Sequence, residues 1–317
     1  MTDAEILMLA PMPPLVIGAL EEGFTLHKAW TAPDPDGFLR EVGPRVRGIA
    51  AGGHVPIDGA LFDQLPRLEI VSSFGVGYDH VDAKEAGRRG IVVTNTPDVL
   101  TDEVADLAIG LLIATLRHLP QVDRYLRAGK WLDKPYPLTP TLRGRKVGIL
   151  GLGRIGRAVA RRLEGFDVPI AYHGRSRQDV PYAYHPTLVG LAQEVDVLIS
   201  VAPGGADTRN MVNAEVLRAL GPDGVFINVG RGSVVDEPAL VRALADGTIL
   251  SAGLDVFADE PNVPAELTAM EHVVLLPHVG SASVETRRAM GQLVVDNLRS
   301  WFAGKGALSP VAETPVG

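Results

Sequence analysis

The stretch that decides the fold is Val147-Gly148-Ile149-Leu150-Gly151-Leu152-Gly153-Arg154-Ile155-Gly156. It starts as an apolar run typical of a strand buried on both faces, and an amphipathic helical pattern runs from Arg154 to Glu164. The GxGxxG spacing allows a tight turn at Gly151, a close backbone approach at Gly153 and close helix packing at Gly156. A glycine turn without a ligand is the alternative. Because a strand precedes the glycines and a helix follows them, the stretch predicts a dinucleotide-binding loop with the pyrophosphate at the helix N-terminus.

The end of the next predicted strand, Val168–Tyr172, indicates which dinucleotide is bound. NAD sites usually place Asp or Glu about 20 residues after the glycine motif, where the carboxylate binds the ribose 2′-OH. Here the chain reads His173-Gly174-Arg175-Ser176-Arg177 and has no acid. Two guanidiniums and a hydroxyl suit a 2′-phosphate, which a carboxylate would repel. We therefore predict NADP(H) as the preferred cofactor, with NAD(H) as the alternative.

Short apolar runs rich in β-branched residues alternate with helical patterns along the chain. Such alternation is typical of α/β folds, in which parallel sheets are covered by helices on both faces. The predicted helices are Thr101–Arg117, Arg154–Glu164, Asn213–Leu220, Glu237–Ala245 and Val284–Phe302. The predicted strands are Ile6–Leu9, Gly48–Ala51, Glu69–Ser72, Ile91–Thr94, Lys146–Leu150, Val168–Tyr172, Val197–Val201, Val225–Asn228, Ile249–Leu254 and Val273–Leu275.

The length of 317 residues corresponds to about two domains. A turn-rich stop at Thr94-Asn95-Thr96-Pro97 precedes a long apolar helix that Thr101 can cap, and this helix is a candidate connector. Because the last predicted helix can return to the first lobe, we predict a discontinuous substrate-binding domain of residues 1–97 and 285–317. Residues 98–284 would form the inserted dinucleotide-binding domain. The chain after Pro310 is expected to fray.

Composition excludes several classes of function. Hydrophobic residues make up 46% of the chain and charged residues 21%, which is typical of a globular protein. The net charge of −8 does not favour binding to nucleic acid or anionic lipid. The absence of cysteine excludes disulfides, thiolate catalysis and Cys-ligated metals, and no metal site is predicted. The apolar stretch from Ile6 to Leu20 is interrupted by prolines, so we predict a cytoplasmic enzyme without a membrane span.

Arg231, Glu260 and His278 each follow a different predicted strand in the second half of the chain. Ligands of open parallel sheets bind at the carboxyl ends of the strands, so these residues can converge beside a nicotinamide. Arg231 can hold a carboxylate and polarise an adjacent carbonyl, and protonated His278 can donate a proton to the carbonyl oxygen. Glu260 would orient His278 and favour its charged form. Each residue alone is more often a surface or turn residue, but their combination after a dinucleotide loop predicts catalysis.

Several longer motifs occur in order along nearly the whole chain. They are Ile70-Val71-Ser72-Ser73-Phe74-Gly75-Val76-Gly77-Tyr78-Asp79, Thr94-Asn95-Thr96-Pro97-Asp98-Val99-Leu100-Thr101, and the segments 147–156, 228–236, 253–261 and 275–281. With these motifs the chain resembles the D-2-hydroxyacid dehydrogenases, in the branch of glyoxylate/hydroxypyruvate and hydroxyphenylpyruvate reductases. The resemblance implies two Rossmann-like or flavodoxin-like parallel-sheet domains with an active-site cleft between them. It also implies reduction of small 2-keto acids (glyoxylate, hydroxypyruvate or aryl pyruvates) to D-2-hydroxy acids, for which the residues after Tyr172 predict NADPH as the reductant.

The resemblance also assigns site residues. It implies that Arg231, Glu260 and His278 are catalytic and that Asp255 reaches the nicotinamide carboxamide. The other cofactor contacts, which include the glycine loop, are Gly151, Leu152, Gly153, Arg154, Ile155, Gly156, Arg175, Ser176, Arg177, Ala202, Pro203, Thr208, Val229, Gly230 and Gly280.

The Gly75-Val76-Gly77 loop also follows an apolar strand, so its backbone N–H groups can form an anion-binding nest. We expect this loop, together with Arg231 and His278, to bind the substrate carboxylate in the cleft between the lobes. The alternative is an ordinary strand-to-helix turn. The segments Pro11–Pro14 and Gly52–His54 also follow strands of the outer lobe and are further candidates to line that cleft.

The resemblance further implies a homodimer, in which Trp131 can reach across the subunit contact; a packed aromatic residue is the alternative at that position. A different class of function is a non-catalytic dinucleotide-binding sensor or scaffold on the same fold. Methyl transfer from S-adenosylmethionine would share the glycine loop, but it leaves the Arg–Glu–His combination unexplained.

Overall fold

The computed structural model describes residues 4–53 and 55–314. The chain forms two compact units, Met1–Leu100 with Ser283–Gly317, and Thr101–Ala282. The predicted boundaries, after residues 97 and 284, lie three residues before and two residues after the observed ones. The observed boundaries coincide with the first residue of one helix and the N-cap of another. The assignment of substrate binding to the first unit and dinucleotide binding to the second stays a prediction.

Within the described residues the structure has twelve β-strands and twelve α-helices. The strands are β1 (Glu5–Met8), β2 (Thr25–Lys28), β3 (Val46–Ala51), β4 (Ile70–Ser73), β5 (Val92–Thr94), β6 (Val147–Leu150), β7 (Ile170–His173), β8 (Ala183–Tyr184), β9 (Val197–Ser200), β10 (Val225–Asn228), β11 (Ser251–Leu254) and β12 (Val274–Leu275). The helices are α1 (Pro14–Glu21), α2 (Pro35–Val42), α3 (Gly59–Asp63), α4 (Ala83–Arg88), α5 (Thr101–Leu116), α6 (Leu119–Arg127), α7 (Arg154–Glu164), α8 (Leu188–Glu194), α9 (Ala214–Leu220), α10 (Glu237–Ala245), α11 (Ala265–Ala269) and α12 (Val284–Phe302).

The first unit contains a five-stranded sheet in the order β2-β1-β3-β4-β5, in which every pair is parallel. Successive residues of a strand face opposite sides, so Ile70 packs in one buried cluster with Ile6 and Val71 in another with Leu7. The helix α12 joins the first of these clusters through Leu298. Because both faces are covered, the inner strands are apolar at nearly every position.

The expectation that the chain frays after Pro310 is wrong for the described residues. Pro310 forms an antiparallel bridge with Thr94, and the N–H of Val311 donates to the carbonyl of Val93 at 2.9 Å. The hydroxyl of Thr314 accepts from the N–H of Val93 at 3.2 Å, and Thr314 is buried. Because β5 is an edge strand, its outer N–H and C=O groups need partners, and the C-terminal segment supplies them.

The second unit contains a seven-stranded sheet in the order β12-β11-β10-β9-β6-β7-β8, again with every pair parallel. The predicted fold class of two parallel-sheet α/β domains is therefore confirmed. The helices α5 and α7 are joined by a 2.6 Å hydrogen bond from Nε of Arg162 to Oδ1 of Asp106, which lowers the pKa of Asp106. The strand order reverses between β9 and β6, the kind of switch point where ligands bind in such sheets.

The predicted strands and helices are all present, with ends shifted by at most two residues. The strands β2 and β8 were not predicted because they are edge strands without a buried residue, so they lack an apolar run. The unpredicted helices contain nine residues or fewer, a length at which the period of 3.6 residues is weak, although α9 and α10, which are equally short, were predicted. These helices are α1, α2, α3, α4, α6, α8 and α11.

Two kinds of feature are absent from the described part of the chain. No helix there combines the length and the apolar composition that crossing a bilayer requires. The longest helix, α12, has 19 residues and carries charged side chains from its first turn to its last. Likewise, residues 4–53 and 55–314 contain no group of three or more His, Cys, Asp or Glu side chains that could hold a metal ion.

Candidate active site

The glycine loop joins β6 to α7 at the carboxyl end of the second sheet. Gly151 has a φ of +97°, and a Cβ at this position would lie 3.2 Å from Cα of Ala202. A Cβ on Gly156 would lie only 2.1 Å from the carbonyl oxygen of Gly151, so α7 can approach the loop only with glycine there. A Cβ on Gly153 would meet no described atom within 4 Å. The open space before Gly153 and the N-terminus of α7 fit a pyrophosphate.

Predicted cofactor residues on the loops after β9 and β10 lie beside the glycine loop. Ala202 and Val229 are buried, and a Cβ on Gly230 would lie 2.6 Å from the carbonyl oxygen of Ala202. Oγ1 of Thr208 donates to the carbonyl oxygen of Pro203 at 2.7 Å, which folds this loop back on itself. The structure therefore brings these residues to one edge of the sheet. Their contact with a cofactor stays a prediction.

Arg175, Ser176 and Arg177 lie in the loop after β7, and all three are exposed. Among the residues that the structure describes, neither guanidinium is engaged by a hydrogen-bond or ion-pair partner. No carboxylate lies between the end of β7 and Gln178. Exposed cationic groups that form no ion pair fit the 2′-phosphate of NADP(H).

The three predicted catalytic residues lie on neighbouring loops. Because β10, β11 and β12 are consecutive parallel strands of the sheet, their carboxyl ends lie side by side. Arg231 follows β10, Glu260 lies in the loop after β11, and His278 follows β12. The structure thus brings the loops of all three residues to the edge that also carries the glycine loop.

The loop of Arg231 is held by backbone contacts. Nη1 of Arg231 donates to the carbonyl oxygen of Gly230 at 2.9 Å, and the backbone carbonyl of Arg231 accepts from Nδ2 of Asn228 at 3.0 Å. A Cβ on Gly232 would lie 1.9 Å from the carbonyl carbon of Phe257, so the loops after β10 and β11 are in direct contact. The guanidinium, which is half-buried, is therefore carried by a well-packed segment.

His278 and Glu260 form the predicted pair. Nδ1 of His278 lies 2.6 Å from Oε2 of Glu260, and Oε1 of the same carboxylate accepts the N–H of Phe257 at 3.0 Å. The backbone contact fixes the carboxylate, and the carboxylate orients the imidazole. Because Nδ1 is bound to Glu260, Nε2 is the ring nitrogen suited to proton transfer to a ligand.

Asp255, directly after β11, holds the His278 loop in place. Its carboxylate oxygens accept the N–H groups of Val279 at 2.7 Å and Gly280 at 2.8 Å, and its carbonyl accepts the N–H of His278 at 2.8 Å. His278 has a left-handed φ of +52°. Burial raises the pKa of Asp255, while the two backbone hydrogen bonds oppose the shift. The carboxylate therefore faces backbone N–H groups, and its predicted contact with the carboxamide stays a prediction.

The Gly75-Val76-Gly77 loop lies in the first unit, directly after β4. The carbonyl of Gly75 accepts the N–H of Thr96 at 2.8 Å, and the carbonyl of Val76 accepts Nδ2 of Asn95 at 2.9 Å. These bonds occupy carbonyls, which is compatible with N–H groups that bind an anion. The role of the loop in substrate binding stays a prediction, and His54 lies outside the described residues.

Sequence reasoning missed the residues that position the predicted site. Gln178, the last residue of the loop of the two arginines, donates to the hydroxyl of Tyr172 and to the carbonyl of Leu152, and no motif or spacing marked either Gln178 or Tyr172. For the holding role of Asp255 a signal was available. An acid directly after a buried apolar strand must be paired or hydrogen-bonded, since burying it alone is costly.

The chain is similar to known reductases over its whole length. Residues 109–280 match the family described as D-isomer specific 2-hydroxyacid dehydrogenase, NAD binding domain. Glyoxylate/hydroxypyruvate reductase A of Arabidopsis thaliana is 49% identical, covering 98% of this chain and 100% of the relative. Hydroxyphenylpyruvate reductase of Plectranthus scutellarioides is also 49% identical, covering 96% and 98%. A crystal structure of an NADPH-dependent glyoxylate/hydroxypyruvate reductase from Sinorhizobium meliloti, in complex with NADP and malonate, is 55% identical with a TM-score of 0.93, covering 99% and 98%.

The second and third glycines of the motif, Gly153 and Gly156, predict separable effects. In Gly156→Ala the new methyl group would clash with the carbonyl of Gly151, so we expect a lower Tm. In Gly153→Ala the methyl group enters open space, so Tm should be kept while the affinity for NADPH falls roughly tenfold. Differential scanning calorimetry and isothermal titration calorimetry measure the two quantities. An unchanged NADPH affinity in Gly153→Ala would contradict the assignment of this loop to the pyrophosphate.

Proposed function

The chain belongs to the D-isomer specific 2-hydroxyacid dehydrogenase family, and we propose that it reduces small 2-keto acids to D-2-hydroxy acids with NADPH as the preferred cofactor. The observation that carries the proposal is the 2.6 Å contact between His278 and Glu260, on the sheet edge that also holds the glycine loop. A carboxylate-bound imidazole is suited to general acid catalysis. A protein that only senses or binds a dinucleotide has no use for such a pair.

Arg231 and His278 have different roles in the proposed reaction. The guanidinium of Arg231 binds the substrate carboxylate and polarises the neighbouring carbonyl group. His278, protonated and oriented by Glu260, donates the proton on Nε2 to the carbonyl oxygen. NADPH, when bound, supplies the hydride that the carbonyl carbon accepts. The Gly75-Val76-Gly77 loop is the further candidate to bind the substrate carboxylate through its backbone N–H groups.

The residues proposed to hold the cofactor fit a phosphorylated dinucleotide. The open space at Gly153 accommodates a pyrophosphate, and the exposed guanidiniums of Arg175 and Arg177 form no ion pair with a described carboxylate. The Sinorhizobium meliloti relative, which is described as NADPH-dependent, supports the preference. The proposed contacts are Gly151, Leu152, Gly153, Arg154, Ile155, Gly156, Arg175, Ser176, Arg177, Ala202, Pro203, Thr208, Val229, Gly230, Asp255 and Gly280.

The proposed substrates are glyoxylate and hydroxypyruvate, with aryl pyruvates as a second class. The names of the relatives support both classes, since two are glyoxylate/hydroxypyruvate reductases and one is a hydroxyphenylpyruvate reductase. These substrates share a carboxylate beside a ketone or aldehyde. That shared part is what one guanidinium and one imidazolium recognise.

We also propose that the enzyme is a homodimer that forms through the segment Leu119–Leu138. This segment exposes large apolar side chains, and α6 within it has no buried residue. Trp131 and Leu132 are 67% and 93% exposed, as expected of side chains that a partner covers. A second copy of the chain is the proposed partner. We keep the cytoplasmic location as a proposal, and the net charge of −8 supports the proposal of no nucleic-acid or anionic-membrane partner.

The substrate and cofactor proposals are tested together by steady-state kinetics. With glyoxylate, hydroxypyruvate and hydroxyphenylpyruvate as substrates, we expect NADPH to be oxidised. The oxidation is measured as the decrease in NADPH absorbance. The kcat/KM for NADPH should exceed that for NADH roughly tenfold or more, because a charge-assisted contact is lost with NADH. No oxidation with any of the three acids would refute the proposed function, and equal use of the two cofactors would refute the proposed preference.

The role of His278 is tested by His278→Ala. Loss of the proton donor should lower kcat by about a hundredfold or more and leave the affinity for NADPH unchanged. His272→Ala is the matched control, since His272 precedes β12 and its backbone carbonyl, not its ring, accepts from Ser251. Near-normal turnover in His278→Ala would contradict the assignment.

The proposed dimer is tested by Leu132→Asp. A charge placed in an apolar contact is costly to bury, so this variant should run as a monomer when its mass is measured by light scattering. Leu308→Asp, which changes an exposed leucine of the first unit, should leave the mass of the wild type unchanged. A wild type that is monomeric across micromolar concentrations would refute the proposal.

A further inference from the structure

The loop of the two arginines is held at both ends by tyrosine hydroxyls. We call residues Gly174–Gln178 the arginine loop. At its start, the carbonyl of Gly174 accepts the hydroxyl of Tyr184 at 3.4 Å; at its end, the N–H of Gln178 donates to the hydroxyl of Tyr172 at 2.6 Å. Tyr172 of β7 and Tyr184 of β8 are partners in the parallel register, and their ring centroids lie 5.3 Å apart. The loop is therefore anchored to the sheet from which it leaves.

Gln178 also joins the arginine loop to the glycine loop. Its Nε2 donates to the carbonyl oxygen of Leu152 at 3.0 Å, and its Oε1 accepts Nη2 of Arg157, on α7, at 2.5 Å. The hydroxyl of Tyr172, fully buried, donates in turn to the carbonyl of Gln178 at 3.4 Å. The backbone and side-chain polar groups of Gln178 are thus all engaged. One residue sets the distance between the segment proposed to bind the pyrophosphate and the segment proposed to bind the 2′-phosphate.

We propose that Gln178 and Tyr172 are positioning residues that set the preference for NADPH over NADH. The inference rests on the proposed function, because it concerns the same cofactor site. Arg175 and Arg177 are exposed, and a long flexible side chain loses conformational freedom when it binds. If the loop backbone is already fixed beside the glycine loop, less conformational entropy is lost when the cofactor binds. Only a cofactor with a 2′-phosphate benefits from this arrangement, since the guanidiniums have no anionic group to bind in NADH.

Tyr172→Phe is the sharpest test, because it removes one hydroxyl from a buried ring. We expect the KM for NADPH to rise roughly threefold to tenfold, because the hydrogen bonds of this hydroxyl with the N–H and the carbonyl of Gln178 are lost, while the KM for NADH and both kcat values stay unchanged. Gln178→Met keeps the length of the side chain but removes its contacts with Leu152 and Arg157. It should likewise raise the KM for NADPH relative to the KM for NADH.

Tyr182→Phe is the matched control. Its hydroxyl donates to Oε1 of Glu164 at 2.7 Å and not to the arginine loop, so the same chemical change should leave the NADPH to NADH ratio at the wild-type value. Thermal unfolding of each variant separates selectivity from stability, since general destabilisation would affect both cofactors alike. A parallel rise in KM for both cofactors, or a shift in Tyr182→Phe equal to that in Tyr172→Phe, would overturn the inference.

Calorimetric titration with NADP⁺ and NAD⁺ keeps this inference separate from the proposed reaction. If the wild type oxidises NADPH with none of the keto acids, the proposed function fails, while the binding ratio still tests the arginine loop. A wild-type preference for NADP⁺ that Tyr172→Phe and Gln178→Met both reduce would support the positioning role. A preference that both variants retain would refute it, whether or not the wild type is an active reductase.

Discussion

The parallel pairing of β6, β9, β10, β11 and β12 is the constraint on which the candidate site depends. Strands that run in the same direction end at the same edge, so their outgoing loops must share a small volume. A Cβ on Gly230 would lie 2.6 Å from the carbonyl of Ala202, and a Cβ on Gly232 only 1.9 Å from the carbonyl carbon of Phe257. Gly230 and Gly232 are therefore required because each loop lies in contact with the next. Gly153 differs, because a Cβ there would meet no described atom within 4 Å, which leaves room for the proposed pyrophosphate.

A buried carboxylate gives His278 a fixed orientation at this edge. The left-handed backbone of His278 is unfavourable for a residue with a Cβ, by about 1–2 kcal/mol. The carboxylate of Asp255 offsets this cost, since each hydrogen bond to a charged group contributes roughly 1.5–3 kcal/mol and it accepts two, from Val279 and Gly280. Burial, which raises the pKa of Asp255, works against the charged form. Glu260 then orients the ring, so two carboxylates hold the backbone and the side chain of one residue.

The sequence predicted the sheet cores well because strands buried on both faces are apolar throughout, as in Val147-Gly148-Ile149-Leu150. It failed at the edge strands β2 and β8, which lack the burial that produces this pattern. Thr25-Leu26-His27-Lys28 forms β2 although none of its residues is buried, and Thr314 packs against β5 although it lies near the chain terminus. For α2 a signal was available. Asp34 precedes Pro35 and its side chain accepts the N–H of Gly37, the capping pattern expected at a helix start.

The same reasoning separates the two kinds of residue in the candidate site. A group that acts on a ligand is restricted by chemistry, so a guanidinium, an imidazole and a carboxylate after three strands were readable from the sequence. A group that holds a loop is restricted only by its place in the fold. The carbonyl of Leu152 needs a donor, and nothing local requires that the donor be Gln178, which is 26 residues away. Substituting such a residue removes no reactive group, so its effect appears in the geometry, and hence in the affinity for one ligand over another.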